Sequence, residues 1–417
     1  MRDNALATAL KRLGHSITLT PLYSPLRTEQ PPSSSAVPEV FYGGINVYLQ
    51  HVGRLFRHTP RVFDWIFDRP WILNAATDMG AQTPPSKLVG LTLSVLAGEE
   101  GAANKELLRL LDFLKREIKP QVVLLPNAMF VGMAGTLARE LGAPVVCELT
   151  GEDIFLDAMN DADRITVRDV IRKRAADVTR FVATSSYYAD RMAEYLDVPR
   201  ERIDVVASGI SRDYLAPVEQ QPASRPPTIG YLARICPEKG LDRLIDAFEL
   251  LLKMPDLSGV QLKAAGYLGK RDKKWFASLQ RRIESSGVSR AFTYLGEVDL
   301  PAKLKMLDSI DVFSVPTAYP EAKGIYVLEA MSRGVPVVQP AHGSFPELIK
   351  QTNGGVLVPH GDPAALADAL ARLLRDREAA RQLGANGRAV VEGSFTDDHM
   401  ARNMQAVFES ATAGRRD

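Results

Sequence analysis

"YPEAKGIYVLEAMSRGVPVV", Tyr319 to Val338, sets two carboxylates, Glu321 and Glu329, around a glycine, an apolar run and a strand-like "VPVV". The preceding "VFSVPT" reads as a strand ending near Pro316, a loop then carries Glu321, and "GIYVLEAMS" starts a helix near Gly324. Glu329 falls in the second turn of that helix. Strand, loop, helix and strand in succession are the unit of a parallel α/β sheet, whose strand-to-helix loops lie at the ligand end. Glycine at the helix start lets a ligand approach the backbone, and the exposed N–H groups with the helix dipole make a phosphate seat. Glu321 can then accept hydrogen bonds from sugar hydroxyls, and Glu329, about a turn and a half deeper, from a second polyol such as a ribose. The plainer alternative is a loop charge beside a solvated helix face.

The same alternation extends in both directions. Upstream, "GYLARICPEKGLDRLI", Gly230 to Ile245, is a strand, a loop bearing Arg234 and Lys239, and an amphipathic helix with Leu241, Leu244, Ile245, Phe248, Leu251 and Leu252 on one stripe. The two cations sit where a doubly wound sheet binds ligands, and together they can neutralise a diphosphate. Strands are expected at Thr228–Leu232, Gln261–Ala265, Phe292–Leu295, Val312–Val315, Val335–Val338 and Val356–Val358. In the first half they are expected at Ser16–Leu22, Val122–Leu125, Pro144–Glu148, Arg180–Thr184 and Asp204–Ala207, with helices between.

A chain of 417 residues is too long for one ordinary core and suits two domains of about 200 residues. "APVEQQPASRPP", Ala216 to Pro227, continues neither strand nor helix and reads as the linker. The expected organisation is a first Rossmann-like domain over 1–215 that binds the acceptor, the linker 216–227, a donor-binding domain over 228–395, and a C-terminal helix over 396–417 crossing back to the first domain. With 51 basic and 50 acidic residues the net charge is +1, which gives no electrostatic footprint for nucleic acid. Cys147 and Cys236 are too few and too far apart for a disulfide framework or a cysteine metal site, and a reducing cytoplasm fits them. The most apolar stretch, Leu88–Ala97, has about half the length of a membrane span. The region Pro25–Ser86 interleaves Arg54, Arg57 and Arg61 with Phe56, Phe63, Trp65 and Phe67. It reads as a helix pair packed on the first domain, and its residues 46–71 can also touch the inner face of a membrane peripherally.

The motifs "GYLARICPEKG", "AAGYL", "YLGEV", "VPTAYPEAKGIYVLEAMSRGVPVV" and "HGSFPELI" resemble the retaining glycosyltransferases of family 4, which have the GT-B fold of two Rossmann-like domains facing a cleft. The resemblance covers Thr228–Gly393 and extends more loosely to "LKRLGHSITLTPL", "GAPVVCELTGED" and "FVATSSYYADRM". It implies that Arg234 and Lys239 bind the donor's pyrophosphate, that Glu321 contacts the transferred sugar, and that Glu329 contacts the nucleotide ribose. It further implies that the amides of Gly324, Ile325 and Tyr326 face the phosphates and that Val298 lies beside the base. No metal and no other cofactor is implied. Two departures stand out: Thr150 replaces a common histidine, and Ser208 a common asparagine. Glu152 and Asp153 beside Thr150 can orient an acceptor or simply open a helix, and His342 reads as a loop hydrogen-bonder.

The activity implied is transfer of a hexose from a nucleotide diphosphate sugar to a glycan, lipid-linked or small-molecule acceptor. A noncatalytic nucleotide-sugar-binding protein and an epimerase of the same fold are the other readings. At the start, Leu6, Leu10 and Leu13 form a helical stripe that Asp3 or Asn4 can cap and Gly14 can end. In the family such a helix follows a first strand and a glycine-rich loop, so the expectation is that this chain begins inside a longer gene product.

Overall fold

The computed structural model describes residues 2–22, 41, 85–218 and 224–413. The chain forms two compact units, Met1–Ala207 with Met400–Asp417, and Ser208–His399.

In the first unit, β1 (Val123–Leu125), β2 (Val145–Leu149), β3 (Arg180–Ala183) and β4 (Ile203–Val205) pair in that order, all parallel. Every residue of β2 is buried, as a sheet covered on both faces requires. Part of that cover is the helix Arg2–Arg12, whose Leu6, Ala9 and Leu10 share a core with Val146, Val182 and Val206 and with Met400, Ala401, Met404 and Val407 of the helix Asp397–Ala413. Arg2 pins its N-terminus: one guanidinium nitrogen donates to Glu148 Oε1 at 3.0 Å and the other to the Val206 carbonyl at 3.1 Å, all buried. The helix starts at Arg2, before the caps expected at Asp3 or Asn4.

Among the described residues the expected strand Ser16–Leu22 shows only isolated bridge positions, at Leu19 and Leu22, and no ladder. Leu22 makes a single parallel bridge to Phe41, and the bond recorded there is Phe41 N–H to the Pro21 carbonyl, 2.9 Å. Pro21 itself has no N–H to give, which shortens any pairing through it. The apolar Leu88–Ala97 forms most of the helix Pro85–Leu96. No helix among the described residues is long and apolar enough to cross a membrane. The basic, aromatic residues 46–71 lie outside the described residues.

In the second unit, β5 (Thr228–Leu232), β6 (Gln261–Ala265), β7 (Phe292–Tyr294), β8 (Val312–Phe313), β9 (Val337–Pro340) and β10 (Gly355–Val358) form one parallel sheet in the order β10-β9-β8-β5-β6-β7. The chain runs outward from β5 through β6 to β7, then returns to β8 on the other side of β5. This places the switch point between the C-terminal ends of β5 and β8, the position where an open sheet admits a ligand. The helix Leu241–Leu252 buries Leu241, Leu244, Ile245, Phe248 and Leu251 of the stripe read from sequence, while Leu252, at its last position, is half-buried. The helix Ile325–Ser332 is buried from Tyr326 onward, Glu329 included. Arg333, directly after it, grips Asp308 through two bonds of 2.7 and 2.8 Å and donates to the carbonyls of Tyr214, Ala216 and Pro217. These bonds fix the chain entering the unit against its central helix.

Because Leu10 and Met404 lie in one core, Leu10→Ala and Met404→Ala are each expected to cost about 2–5 kcal/mol. Their combined cost should differ from the sum by 0.5 kcal/mol or more, roughly the coupling of residues in contact. Urea unfolding of the two single variants and the double variant measures this, and strict additivity would show that the two helices do not share a core.

Candidate functional site

The C-terminal ends of the strands in the second unit carry nearly every residue singled out in the sequence. Arg234 and Lys239 follow β5, and the buried Tyr231 of that strand holds their loop, its hydroxyl lying 3.4 Å from the carbonyl oxygens of both. The loop is also stitched to its neighbours by Ile235 N–H to the Tyr267 carbonyl at 2.9 Å and Ala318 N–H to the Glu238 carbonyl at 2.8 Å. The Arg234 side chain is exposed, and its Nε donates to Cys236 Sγ at 3.3 Å. Lys239 turns inward. Its ammonium is 2.5 Å from Glu321 Oε2 and lies 5.0 and 5.1 Å from the ring centres of Tyr319 and Tyr326, so carboxylate and π-faces both stabilise the charge.

Glu321 is 6% exposed, which removes the plain loop-charge reading. Its Oε2 also accepts from the Tyr326 hydroxyl at 2.8 Å and the Tyr319 hydroxyl at 3.4 Å, while Oε1 accepts from the Lys323 amide at 3.3 Å. Burial alone raises a carboxyl pKa, but the Lys239 charge and these donors outweigh it and hold Glu321 below the usual carboxylate range. Reciprocally, burial lowers Lys239 and the Glu321 charge more than restores it, leaving its pKa raised. The pair is ionised.

Glu329 is equally buried, so the solvated-face reading fails for it too. Its Oε1 accepts from the Tyr214 hydroxyl at 2.6 Å and from Lys303 Nζ at 3.1 Å, and those two donors are themselves 3.0 Å apart. Neither Lys303 nor Tyr214 was singled out in the sequence. A signal for Lys303 was present: it occupies the stripe of Met306, Leu307 and Ile310, all buried, where a lysine needs a partner. Tyr214, in the turn Arg212–Leu215 just ahead of the proline-rich stretch, carried no such signal.

The helix start keeps its geometry. Gly324 has φ +61° and precedes the helix, and the amides of Ile325 and Tyr326 lie in the first turn, which has no intrahelical acceptor. The reason for glycine differs from the one expected. A Cβ there would point into the protein, in ordinary contact with Phe345 at 3.4 Å and Leu348 at 3.7 Å, so the left-handed backbone and not a lack of room selects glycine. Gly343, also left-handed, lets its loop close on Glu321: a Cβ would sit 2.4 Å from the Glu321 nitrogen, and the Ser344 amide donates to the Glu321 carbonyl at 2.8 Å. In that loop His342 Nε2 lies 3.2 Å from Thr317 Oγ1 and its ring stacks on His360 at 4.2 Å. Burial, with His360 and Arg243 nearby, lowers its pKa to about 4. Val298 lies half-buried between β7 and the helix Leu300–Asp308.

A family model described as glycosyl transferases group 1 matches residues 216–390, and one described as glycosyl transferase 4-like domain matches residues 4–209. Together they span most of the chain. It belongs to the family 4 glycosyltransferases. It is 27% identical over 318 residues to the GDP-mannose-dependent alpha-(1-6)-phosphatidylinositol monomannoside mannosyltransferase of Mycobacterium tuberculosis, covering 71% of this chain and 75% of that protein. Among solved structures it resembles sucrose-phosphate synthase of Thermosynechococcus elongatus, with TM-score 0.72, 19% identity and coverage of 98% of this chain and 92% of that one. It also resembles HepE of Anabaena in complex with UDP, with TM-score 0.63, 18% identity and coverage of 73% and 82%. These likenesses show the GT-B fold. As a glycosyltransferase the protein is an enzyme, and the binding-protein and epimerase readings give way.

The family motif "ELTGED" of the first unit turns out to be a held loop. Glu152 Oε1 accepts from the Ala128 amide, and Oε2 from the amides of Thr150 and Gly151 and from the Tyr188 hydroxyl, at 2.8 to 3.1 Å. Asp153 accepts from Tyr188 and from Arg191. The loop-fixing role is thus the one the geometry favours over acceptor binding for these two. Ser208 is buried in this glycosyltransferase, and its hydroxyl has no partner among the described residues.

Lys239→Met leaves a buried carboxylate uncompensated and is expected to cost about 3–5 kcal/mol near neutral pH. Since the folded pKa of Glu321 is depressed, the pair's contribution is present above the ordinary carboxylate pKa and lost as pH falls through the folded value. In the variant, burial without the cation favours the protonated carboxyl of Glu321, so its deficit against wild type should shrink as pH falls from neutral towards the ordinary carboxylate pKa in urea unfolding; a constant deficit would show that the pair does not set it. For Gly324→Val, the left-handed φ should cost about 1–3 kcal/mol, read in the same assay. A variant as stable as wild type would mean that the backbone there relaxes freely.

Proposed function

We propose that this glycosyltransferase moves a hexose from a nucleoside diphosphate sugar to an acceptor hydroxyl with retention at the anomeric carbon. The observation that supports this reading is the Lys239–Glu321 ion pair between the loops after β5 and β8, with Arg234 in the first of those loops and the first-turn amides of Ile325 and Tyr326 and then Glu329 in the helix that follows the second. In this reading Arg234, Lys239 and the helix start stabilise the departing diphosphate, which is where negative charge grows. Glu321 orients the transferred sugar, chiefly through Oε1, because Oε2 already has three donors. Glu329 holds the ribose and Val298 borders the base. The bond from the anomeric carbon to the diphosphate breaks, the acceptor oxygen bonds to that carbon on the same face, and its proton passes to the departing phosphate oxygen. Two cations and a helix start supply the charge that a divalent metal would otherwise supply, so activity is expected to persist in a chelator.

The relative named above is GDP-mannose-dependent and HepE was solved with UDP, which supports a nucleotide donor and leaves the base of this chain's donor open. The two buried, unbridged cysteines support a cytoplasmic location. Contact of residues 46–71 with an anionic membrane remains part of the proposal, motivated by their sequence alone.

A panel of nucleoside diphosphates and their sugars, read by thermal shift and followed by mass spectrometry with candidate acceptors, tests the reading. One base should stabilise the protein and its sugar should yield an acceptor heavier by one hexose. Arg234→Ala should then weaken nucleoside diphosphate binding by about 1.5–3 kcal/mol, roughly 10- to 100-fold. Glu321→Ala should lower kcat far more than it weakens the free nucleotide. No stabilisation by any diphosphate would remove the donor assignment.

A further inference from the structure

Glu329 belongs to a helix that is apolar and buried nearly all round, a costly place for a charge. Two side-chain donors reach its Oε1 from separate elements. Lys303 comes from the helix Leu300–Asp308, which follows the Val298 loop, and Tyr214 comes from the turn Arg212–Leu215. These elements are locked to the helix of Glu329 by a second buried ion pair. Asp308, at the end of the helix that carries Lys303, holds Arg333, which follows the helix of Glu329 and donates to the main-chain carbonyl of Tyr214. The frame therefore closes on itself: each donor's backbone is fixed relative to the carboxylate it meets. Neutralising a buried charge would need only Lys303. The added hydroxyl, 2.6 Å from the same oxygen, fixes the plane of the carboxylate as well as its charge.

We propose that Lys303 and Tyr214 are positioning residues that set the orientation in which Glu329 meets the hydroxyls of the nucleoside sugar, so that preference for ribose over deoxyribose depends on them. This rests on the nucleotide-sugar reading above. It adds that selectivity at the ribose is held by two side chains that do not touch the ligand.

Calorimetry on the full chain tests it, with the nucleoside diphosphate that the wild type binds, its 2′-deoxy and 3′-deoxy counterparts, and inorganic diphosphate as a probe without ribose. The wild type should lose about tenfold or more in affinity when a contacted hydroxyl is missing. In Tyr214→Phe and Lys303→Met that ratio should fall to within about twofold, while affinity for inorganic diphosphate stays as in the wild type. A purely structural role would instead weaken every probe alike. A Tyr214→Phe protein with wild-type melting and an unchanged ribose-to-deoxyribose ratio would overturn the proposal, and this variant decides alone if Lys303→Met does not fold. Wild type that binds no nucleoside diphosphate would overturn the functional reading itself, whereas wild type that binds ribose and deoxyribose forms equally would overturn only the assignment around Glu329.

Discussion

A carboxylate that is almost wholly buried has to be met by donors, and the second unit meets that constraint with a lysine twice within one strand–loop–helix passage. Glu321 is paired with Lys239 from the loop after β5, and Glu329 with Lys303 from the helix after β7. The two glutamates thereby tie the connection after β8 to the loop after β5 and to the helix that leads into β8. Apolar side chains of the same volume would hold such elements together at least as well, because the desolvation of two charges offsets most of their attraction. Stability alone gives no reason for this arrangement, and the proposed grip on a ligand's hydroxyls and phosphates would supply one.

The parallel α/β character and most element positions were legible because they rest on local periodicity. The stripe of Leu241, Leu244, Ile245, Phe248 and Leu251 required nothing beyond helical spacing, and Thr228–Leu232 and Gln261–Ala265 appear as strands over the same residues that their sequence suggested. Ser16–Leu22 shows only isolated bridges among the described residues, because a strand exists only through its neighbour, and alternation cannot say whether a partner ladder will form there. The motif makes the glycine at 324 stand out, but its cause, left-handed backbone facing Phe345, is a property of the fold and invisible in the motif.

The partners of the marked residues were less legible than the residues themselves. Lys239 meets Glu321 across 82 positions and Tyr214 meets Glu329 across 115, distances over which a single sequence carries no pairing signal. Lys303 was the exception, since a lysine in an otherwise apolar stripe announces that some buried acid awaits it. Glu152 and Asp153 show the converse. Their acidic pair beside a glycine looks like ligand chemistry, yet three backbone amides and a tyrosine take up Glu152 to hold a loop.

The ionisation of the Lys239–Glu321 pair bears on how a diphosphate would be held. The pair is nearly neutral as a unit, so its ammonium contributes to an anion mainly through short-range donation; its remaining N–H groups can point at phosphate without leaving the carboxylate. Net positive charge at the switch point then falls to Arg234, whose guanidinium is exposed, and to the first-turn amides after Gly324. A fully desolvated second cation would bind diphosphate tightly before and after transfer alike, which lowers KM without raising kcat. In the proposed reading, tethering Lys239 to Glu321 would instead couple the group beside the leaving phosphate to the group beside the transferred ring, so that a shift in one displaces the other.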